Sequence, residues 1–474
     1  MNRRKFLKSS GLGLGVAAGF ASNLASFNAY AANTSDYKAL VCVFLKGGMD
    51  SHDMIIPIDV SQSALYEGIR DPIMGNYTSN GWSSRRLSDG KLATLGGGGA
   101  VSGSVADGRS FAFPDEMKSL RNIYRDRNLA VVANVGPLVE PMNRTTYLNK
   151  SATRPPRLFS HNDQQSIWMA NSPEGAGVGW GGRMGDFMQS AGANTHNSFT
   201  AISVNNNSVF LNGENVSNFA LSSNGGLTIK NIGSRSYLGS QTYIDMLNEN
   251  IYNTEKTSNN FFQSDLAGIT KDTVEQNILL NALFQTSPDP TTSFPDTSLG
   301  KSLKIVAKMI SQRGALGMRR QIFFVSDTGY DHHANQGDGL PEKQYGISEA
   351  LTAFYNETKL MELQDSVCTF TASDFGRTLV PNSTGTDHGW GSHHLVMGGG
   401  VNGGRIFGDI PEPVLGHNQD AGRGTMIPEL AVDQYAFSLA RWFGLTYSEA
   451  HAVLPNASNH NPRKLYGMFM DDWL

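Results

Sequence analysis

Apolar and polar residues segregate along this chain in blocks rather than residue by residue. Runs rich in Val, Ile, Phe and Ala recur at residues 38–45, 129–135, 199–204, 321–326, 366–373 and 395–397. They show little polar alternation, as expected of strands buried on both faces. Between them, segments 114–127, 179–191, 237–253, 270–284, 299–314, 342–360 and 428–443 carry apolar residues at helical spacing. Strands alternating with helices predict an α/β fold around a mostly parallel sheet, whose ligands collect at the carboxyl ends of the strands.

Two stretches break the pattern. Residues 77–110 are rich in Gly and Ser and include a four-glycine run at 96–99. No Gly-Lys-Ser/Thr follows it, so a phosphate loop is not expected and a surface insertion is. Residues 205–240 are rich in Asn, Ser and Gly and predict a hairpin or small antiparallel insert. From there to residue 317 the chain reads as mostly helical, as a lid or cap would. The expected organisation is a leader over 1–31 and one domain over 32–474, with insertions near 77–110 and 205–317.

The polar residues between these blocks carry the candidate chemistry. Seven of the eleven histidines fall in four short motifs, each with an aspartate: Asp50-Ser51-His52-Asp53, Ser160-His161-Asn162-Asp163, Asp331-His332-His333, and Asp387-His388 with His393-His394. Carboxylates and neutral imidazoles at strand ends suit a divalent ion, Zn²⁺ or Mn²⁺ in the first place, with Mg²⁺ and Ca²⁺ left open. Asp50 follows the first strand and the Gly47-Gly48 pair. Ser160 reads as a helix N-cap with Asp163 three residues on, and a helix start suits an anion. Asp331 and His333, two apart on extended backbone, point the same way and can share an ion, whereas His332 points away. Asp374 follows the 366–373 strand. Arg377, three residues on, is either its surface ion-pair partner or a bidentate clamp for phosphate or sulfate. Asp387, His388, His393 and His394 lie within eight positions. His196, His417, His451 and His460 stand alone and read as ordinary structural residues.

The totals narrow the class. The chain has 474 residues, 39% hydrophobic and 17% charged, which is ordinary globular composition. It opens with Arg3-Arg4-Lys5-Phe6-Leu7-Lys8, a Gly/Ala-rich apolar stretch over 11–20, and Ala29-Tyr30-Ala31. That is a twin-arginine export signal with a small-x-small cleavage site. Removing its four cations takes the net charge from −4 to −8, which gives no electrostatic case for nucleic acid. No later segment is long and apolar enough to span a membrane. Cys42 and Cys368 lie inside strand-like runs and read as buried thiols, with a disulfide open if those strands are neighbours.

These motifs resemble the DUF1501 family of exported bacterial proteins, placed with the alkaline phosphatase and sulfatase superfamily. The resemblance rests on the leader, on residues 44–57 ending Met54-Ile55-Ile56-Pro57, on Phe159-Ser160-His161-Asn162-Asp163-Gln164-Gln165, on residues 329–336, on Ser373-Asp374-Phe375-Gly376-Arg377-Thr378, and on Gly385-Thr386-Asp387-His388-Gly389. It implies an alkaline phosphatase-like sandwich that uses one or two divalent ions to hydrolyse an anionic phosphate or sulfate ester. Asp50 and Asp374 would hold one ion, Asp331, His333 and His388 the other, and Ser160 would lie near the nucleophile position. The chain departs from that superfamily at Phe375, where phosphatases often carry histidine, in the short Asp331-x-His333 spacing, and in lacking the sulfatase Cys/Ser-x-Pro-x-Arg signature. His161, His393 or His394 would then replace a missing ligand, or the protein keeps the fold as a non-catalytic periplasmic binding or assembly protein. The resemblance also implies a co-exported partner of the DUF1800 type.

Overall fold

The computed structural model describes residues 32–96, 108–204, 207–223 and 260–470. The leader, the helix expected over 237–253 and most of the four-glycine run lie outside the described residues. Among the described residues, nine strands form the central sheet. In chain order they are β1 (Lys38–Lys46), β2 (Leu129–Gly136), β3 (Ala201–Val204), β4 (Phe219–Leu221), β5 (Arg320–Thr328), β6 (Val367–Ser373), β7 (Ser392–Gly398), β8 (Ile406–Phe407) and β9 (Leu430–Ala431). Their order is β8-β2-β7-β6-β1-β5-β3-β4, with β9 also on β2. Every pairing is parallel except those of β7, which runs antiparallel to β2 and β6. The chain is therefore mixed α/β with a mostly parallel sheet, as its block pattern predicts.

β1 shows why the strand sequences lack alternation. It lies between β5 and β6, with Val43 paired to Val325 on one side and Thr371 on the other. Ala39, Val41, Val43 and Leu45 enter one core and Leu40, Cys42 and Phe44 the other, all buried. Each large apolar side chain so enclosed stabilises the fold by about 1.5–3 kcal/mol. Cys42 and Cys368 are both buried and free.

The helices of eight residues or more are α1 (Val60–Ser79), α2 (Lys118–Arg125), α3 (His161–Ala170), α4 (Trp180–Ser190), α5 (Phe261–Thr286), α6 (Ser298–Ser311), α7 (Gln336–Leu360) and α8 (Val432–Phe443). Residues of α2, α6 and α7 share the core with the Val41 face, and residues of α3, α4 and α8 share the core with the Leu40 face. The result is helices on both sides of one sheet. No helix among the described residues is long and apolar enough to cross a membrane.

Three expectations change. The antiparallel insert expected over 205–240 is replaced, where it is described, by β4, which adds to the edge of the main sheet parallel to β3. α6, expected within a lid or cap, is a core helix with Leu303, Val306 and Ile310 fully buried. α1 was not foreseen at all. Its buried stripe is Ser63, Tyr66, Arg70, Ile73, Met74 and Tyr77, at helical spacing but largely polar, and Pro72 interrupts it.

Candidate metal centre

The carboxyl ends of β1, β5 and β6 lie side by side, so the loops that follow them meet. Gly47 and Gly48 turn the chain after β1 with φ of +119° and +82°. A Cβ on Gly47 would sit 2.6 Å from the Asp331 backbone nitrogen, and one on Gly48 would enter the Phe375 ring. The glycine pair is what lets the three loops close on each other.

Asp331 leaves β5 into this crossing, α3 brings His161, and the strand Thr386–His388 brings His388. Ligand atoms of these three residues all lie within 4.8 Å of one another, and this is the one such group of three or more among the described residues. His161 Nε2 is 3.4 Å from one Asp331 oxygen, and His388 Nε2 is 3.3 Å from the other. His333 Nε2 adjoins them, 2.9 Å from His388 Nε2 and 3.2 Å from Asp331.

Each of these side chains is held from behind. Asp374, fully buried, accepts from His161 Nδ1 at 2.6 Å, from Gln165 Nε2 at 2.9 Å and from the Gly47 N–H at 3.2 Å. Its bond and charge raise the His161 pKa above the ordinary value, outweighing burial. His388 Nδ1 donates to the Phe159 carbonyl at 2.8 Å. That carbonyl is presented by a Phe159 backbone at φ +72°, a sparsely populated region for a bulky residue. Burial lowers the His388 pKa, which favours the neutral ring. In its neutral form each ring keeps its proton on Nδ1 and turns the Nε2 lone pair toward the cluster. Burial alone would raise the Asp331 pKa, but the hydrogen bond and charge of Arg377 bring it below the usual range. Phe375, also fully buried, packs its ring against His161 and His388 at centroid distances of 4.8 and 4.5 Å. Behind His333, Asp387 lies 3.6 Å from Nδ1 and pairs with Arg423 at 2.6 Å.

The structure thus joins His161 to Asp331, His333 and His388, and sets Asp374 and Asp387 behind the histidines. Four expectations are redirected. Asp50 does not face the cluster. It is buried, bonded to Arg70, to Gln336 Nε2 at 2.8 Å and to the His52 N–H at 3.2 Å. Arg70 also reaches Asp53 at 2.9 Å, and Tyr66 and Tyr77 donate to Asp53. A guanidinium therefore pairs with Asp50, one of the two carboxylates expected to hold an ion, while the other, Asp374, lies behind His161. Burial, countered in part by Arg70 and reinforced by Asp53, raises the Asp50 pKa.

His393 is likewise elsewhere. Its Nδ1 accepts the Asn134 N–H at 3.0 Å, its Nε2 has no partner among the described residues, and its ring meets His52 edge-on at 6.4 Å. Burial pushes its pKa down to about 3. Arg377 is not an anion clamp. It is 1% exposed and donates to the carbonyls of Gly47, Gly48, Tyr330 and Thr386 and to Asp331, which ties the three loops together. Ser160 is the N-cap residue of α3, but its hydroxyl donates to Asp163 at 2.8 Å instead of capping the helix. Among the positioning residues, Gln165 stood out in sequence only as part of a motif and Phe375 only as a departure from histidine, and Arg70 lies in a helix that the apolar pattern does not predict.

Comparison with solved structures gives distant similarity. The chain is 9% identical to Ps i-CgsB, crystallised in complex with k-i-k-neocarrahexaose, over 90% of this chain and 78% of that one, with a TM-score of 0.35. It is 8% identical to the lipoteichoic acid synthase LtaP from Listeria monocytogenes, over 82% and 73%, with a TM-score of 0.29. The PsFucS1 sulfatase from Pseudoalteromonas sp. is 9% identical over 92% and 72%, with a TM-score of 0.31. No curated protein matches the chain. The model of the family DUF1501, described as a protein of unknown function, matches residues 37–453, and the chain belongs to that family.

Proposed function

We propose that the protein is a metal-dependent hydrolase of phosphate or sulfate esters. It is exported by the twin-arginine route with loss of residues 1–31 and works in the periplasm or outside the cell. The observation that carries this reading is the convergence of two oriented imidazole Nε2 atoms and a carboxylate within 4.8 Å. Neutral imidazole with carboxylate suits Zn²⁺ or Mn²⁺ better than Mg²⁺ or Ca²⁺, which favour oxygen shells. His161, Asp331 and His388 would hold the ion, with His333 beside them. When bound, the ion supplies positive charge against the ester's non-bridging oxygens and lowers the pKa of a water.

The chain's own groups do the rest. Asp374 and the Phe159 carbonyl keep both histidines in the binding tautomer. No side chain caps the first turn of α3, where Asp163 already sets a carboxylate against the helix dipole. The Ser160 bond holds the Asp163 pKa low, which makes Asp163 a poor acceptor for the serine proton. Water is therefore the better candidate for attack. With Asp50 paired to Arg70 and one group of ligand atoms converging, one ion per chain is expected.

One observation favours a second reading. The neutralised Asp50 removes an expected ligand, as in a binding or assembly protein that keeps a single structural ion, with a co-exported DUF1800-type protein as partner. The test is mature protein supplied with Zn²⁺ or Mn²⁺ and offered p-nitrophenyl phosphate, p-nitrophenyl sulfate and bis-p-nitrophenyl phosphate. Turnover that disappears in a folded Asp331→Ala variant supports the hydrolase. Metal binding with no turnover on any of the three supports the second reading.

A further inference from the structure

A cleft of about 320 Å³ lies far from the metal centre. It is bounded by α4, by the residues entering β3 and β4, and by one face of α5, and its polar wall includes Gln189, Asn197, Asn215, Asn218, Asp272 and Gln276. β3 and β4 run parallel to β5, so the residues entering them stand at the amino end of the sheet. The metal centre stands at the other end, roughly 30 Å away along a nine-residue strand.

We propose that this cleft binds an uncharged carbohydrate. No lysine or arginine lines it, and Asp272 would repel a sulfate or phosphate. Side-chain amides offer a donor and an acceptor together, which matches neighbouring sugar hydroxyls that each give and take a hydrogen bond. Asn218 buries both amide atoms and Gln276 its carbonyl oxygen with no partner among the described residues. Unpaired buried polar atoms are costly, and a hydroxylated ligand that draws these amides round offsets that cost. The half-buried Phe219 ring, held against Phe199 at 5.0 Å, gives the C–H face of a sugar an apolar platform, with Ile269 opposite on α5. The volume is at the lower end for a ligand site and fits a short oligosaccharide segment. The site is independent of the metal reading and would anchor a glycan chain at a distance from the ester-binding end.

The test uses mature protein and a panel of neutral hexasaccharides (gluco-, manno-, galacto-, xylo- and chito-oligomers), read by saturation-transfer NMR and calorimetry. A neutral tetrapeptide and dextran sulfate serve as controls. Expected is binding of at least one hexasaccharide, weakened by about tenfold or more in Asn218→Ala and in Asp272→Ala. Asp272 is exposed, so its variant keeps the fold if Asn218→Ala does not. Binding should persist in chelator and in His161→Ala. Absence of binding across the panel, equal binding by both variants, or preference for the peptide or the sulfated polymer overturns the proposal.

Discussion

Asp374→Asn removes one charge and almost no volume, yet the account predicts a large effect on metal affinity. In the native site one carboxylate oxygen accepts from both His161 Nδ1 and Gln165 Nε2, while the other accepts from the Gly47 N–H. An amide cannot serve all three donors. With its oxygen toward His161, its NH₂ meets the Gly47 N–H. With its NH₂ toward His161, it meets the Gln165 amide and forces the imidazole proton onto Nε2, which cancels the lone pair facing the cluster. Loss of such a support behind a ligating histidine typically weakens metal binding by about 10–100-fold, or about 1.4–2.8 kcal/mol. The assay is competition for Zn²⁺ against a chromophoric chelator, with circular dichroism confirming the fold. In the metal-free variant the His161 pKa, raised in the native protein chiefly by its bond to Asp374, should fall toward the ordinary value by NMR titration. Affinity within about twofold of wild type in a folded variant would refute the reasoning.

Arg70→Met leaves Asp50 and Asp53 buried without their cation, and should cost about 3–5 kcal/mol in urea unfolding; a loss below about 1 kcal/mol would mean those carboxylates are neutral or hydrated. Gly47→Ala places a Cβ against the Asp331 backbone at positive φ, so it should lower both thermal stability and metal affinity, whereas the same change at the open Gly68 should leave metal affinity alone. Asp433 is a pH probe away from the centre. Burial raises its pKa from 3.8 to about 6, so the native state keeps its proton longer than the unfolded chain. Its contribution is fully present below the unfolded value and is lost as pH rises through the folded one, a drop of up to about 3 kcal/mol that Asp433→Asn should flatten in unfolding curves across that window.

The architecture was readable because β1, β2, β5 and β6 are enclosed on both faces and must be written in continuous apolar residues. The loops at their ends drew notice because Asp331, His333 and His388 fall in short Asp/His motifs just past apolar runs. What the chain did not disclose is which partner each polar group finds. Asp50 and Asp331 look alike in sequence, each just past a strand, and each meets an arginine, yet Asp50 is buried beside Arg70 and Gln336 whereas Asp331, paired with Arg377, also faces three histidines. Arg70 was hidden because α1 buries Tyr66, Arg70 and Tyr77 where a pattern search looks for Leu or Ile. Arg377 was misread for a related reason. Its spacing from Asp374 was visible, but not the four carbonyls that close around it. His393 shares a dense motif with His388, but β7 carries it into the interior.

Elemental analysis of the purified protein, set beside His161→Ala and Asp331→Ala, measures the proposed cation site most directly. One zinc or manganese per wild-type chain is expected, and none in either folded variant. Metal-free wild-type protein that takes up no ion on dialysis against Zn²⁺ or Mn²⁺, or variants that retain the full content, would contradict it.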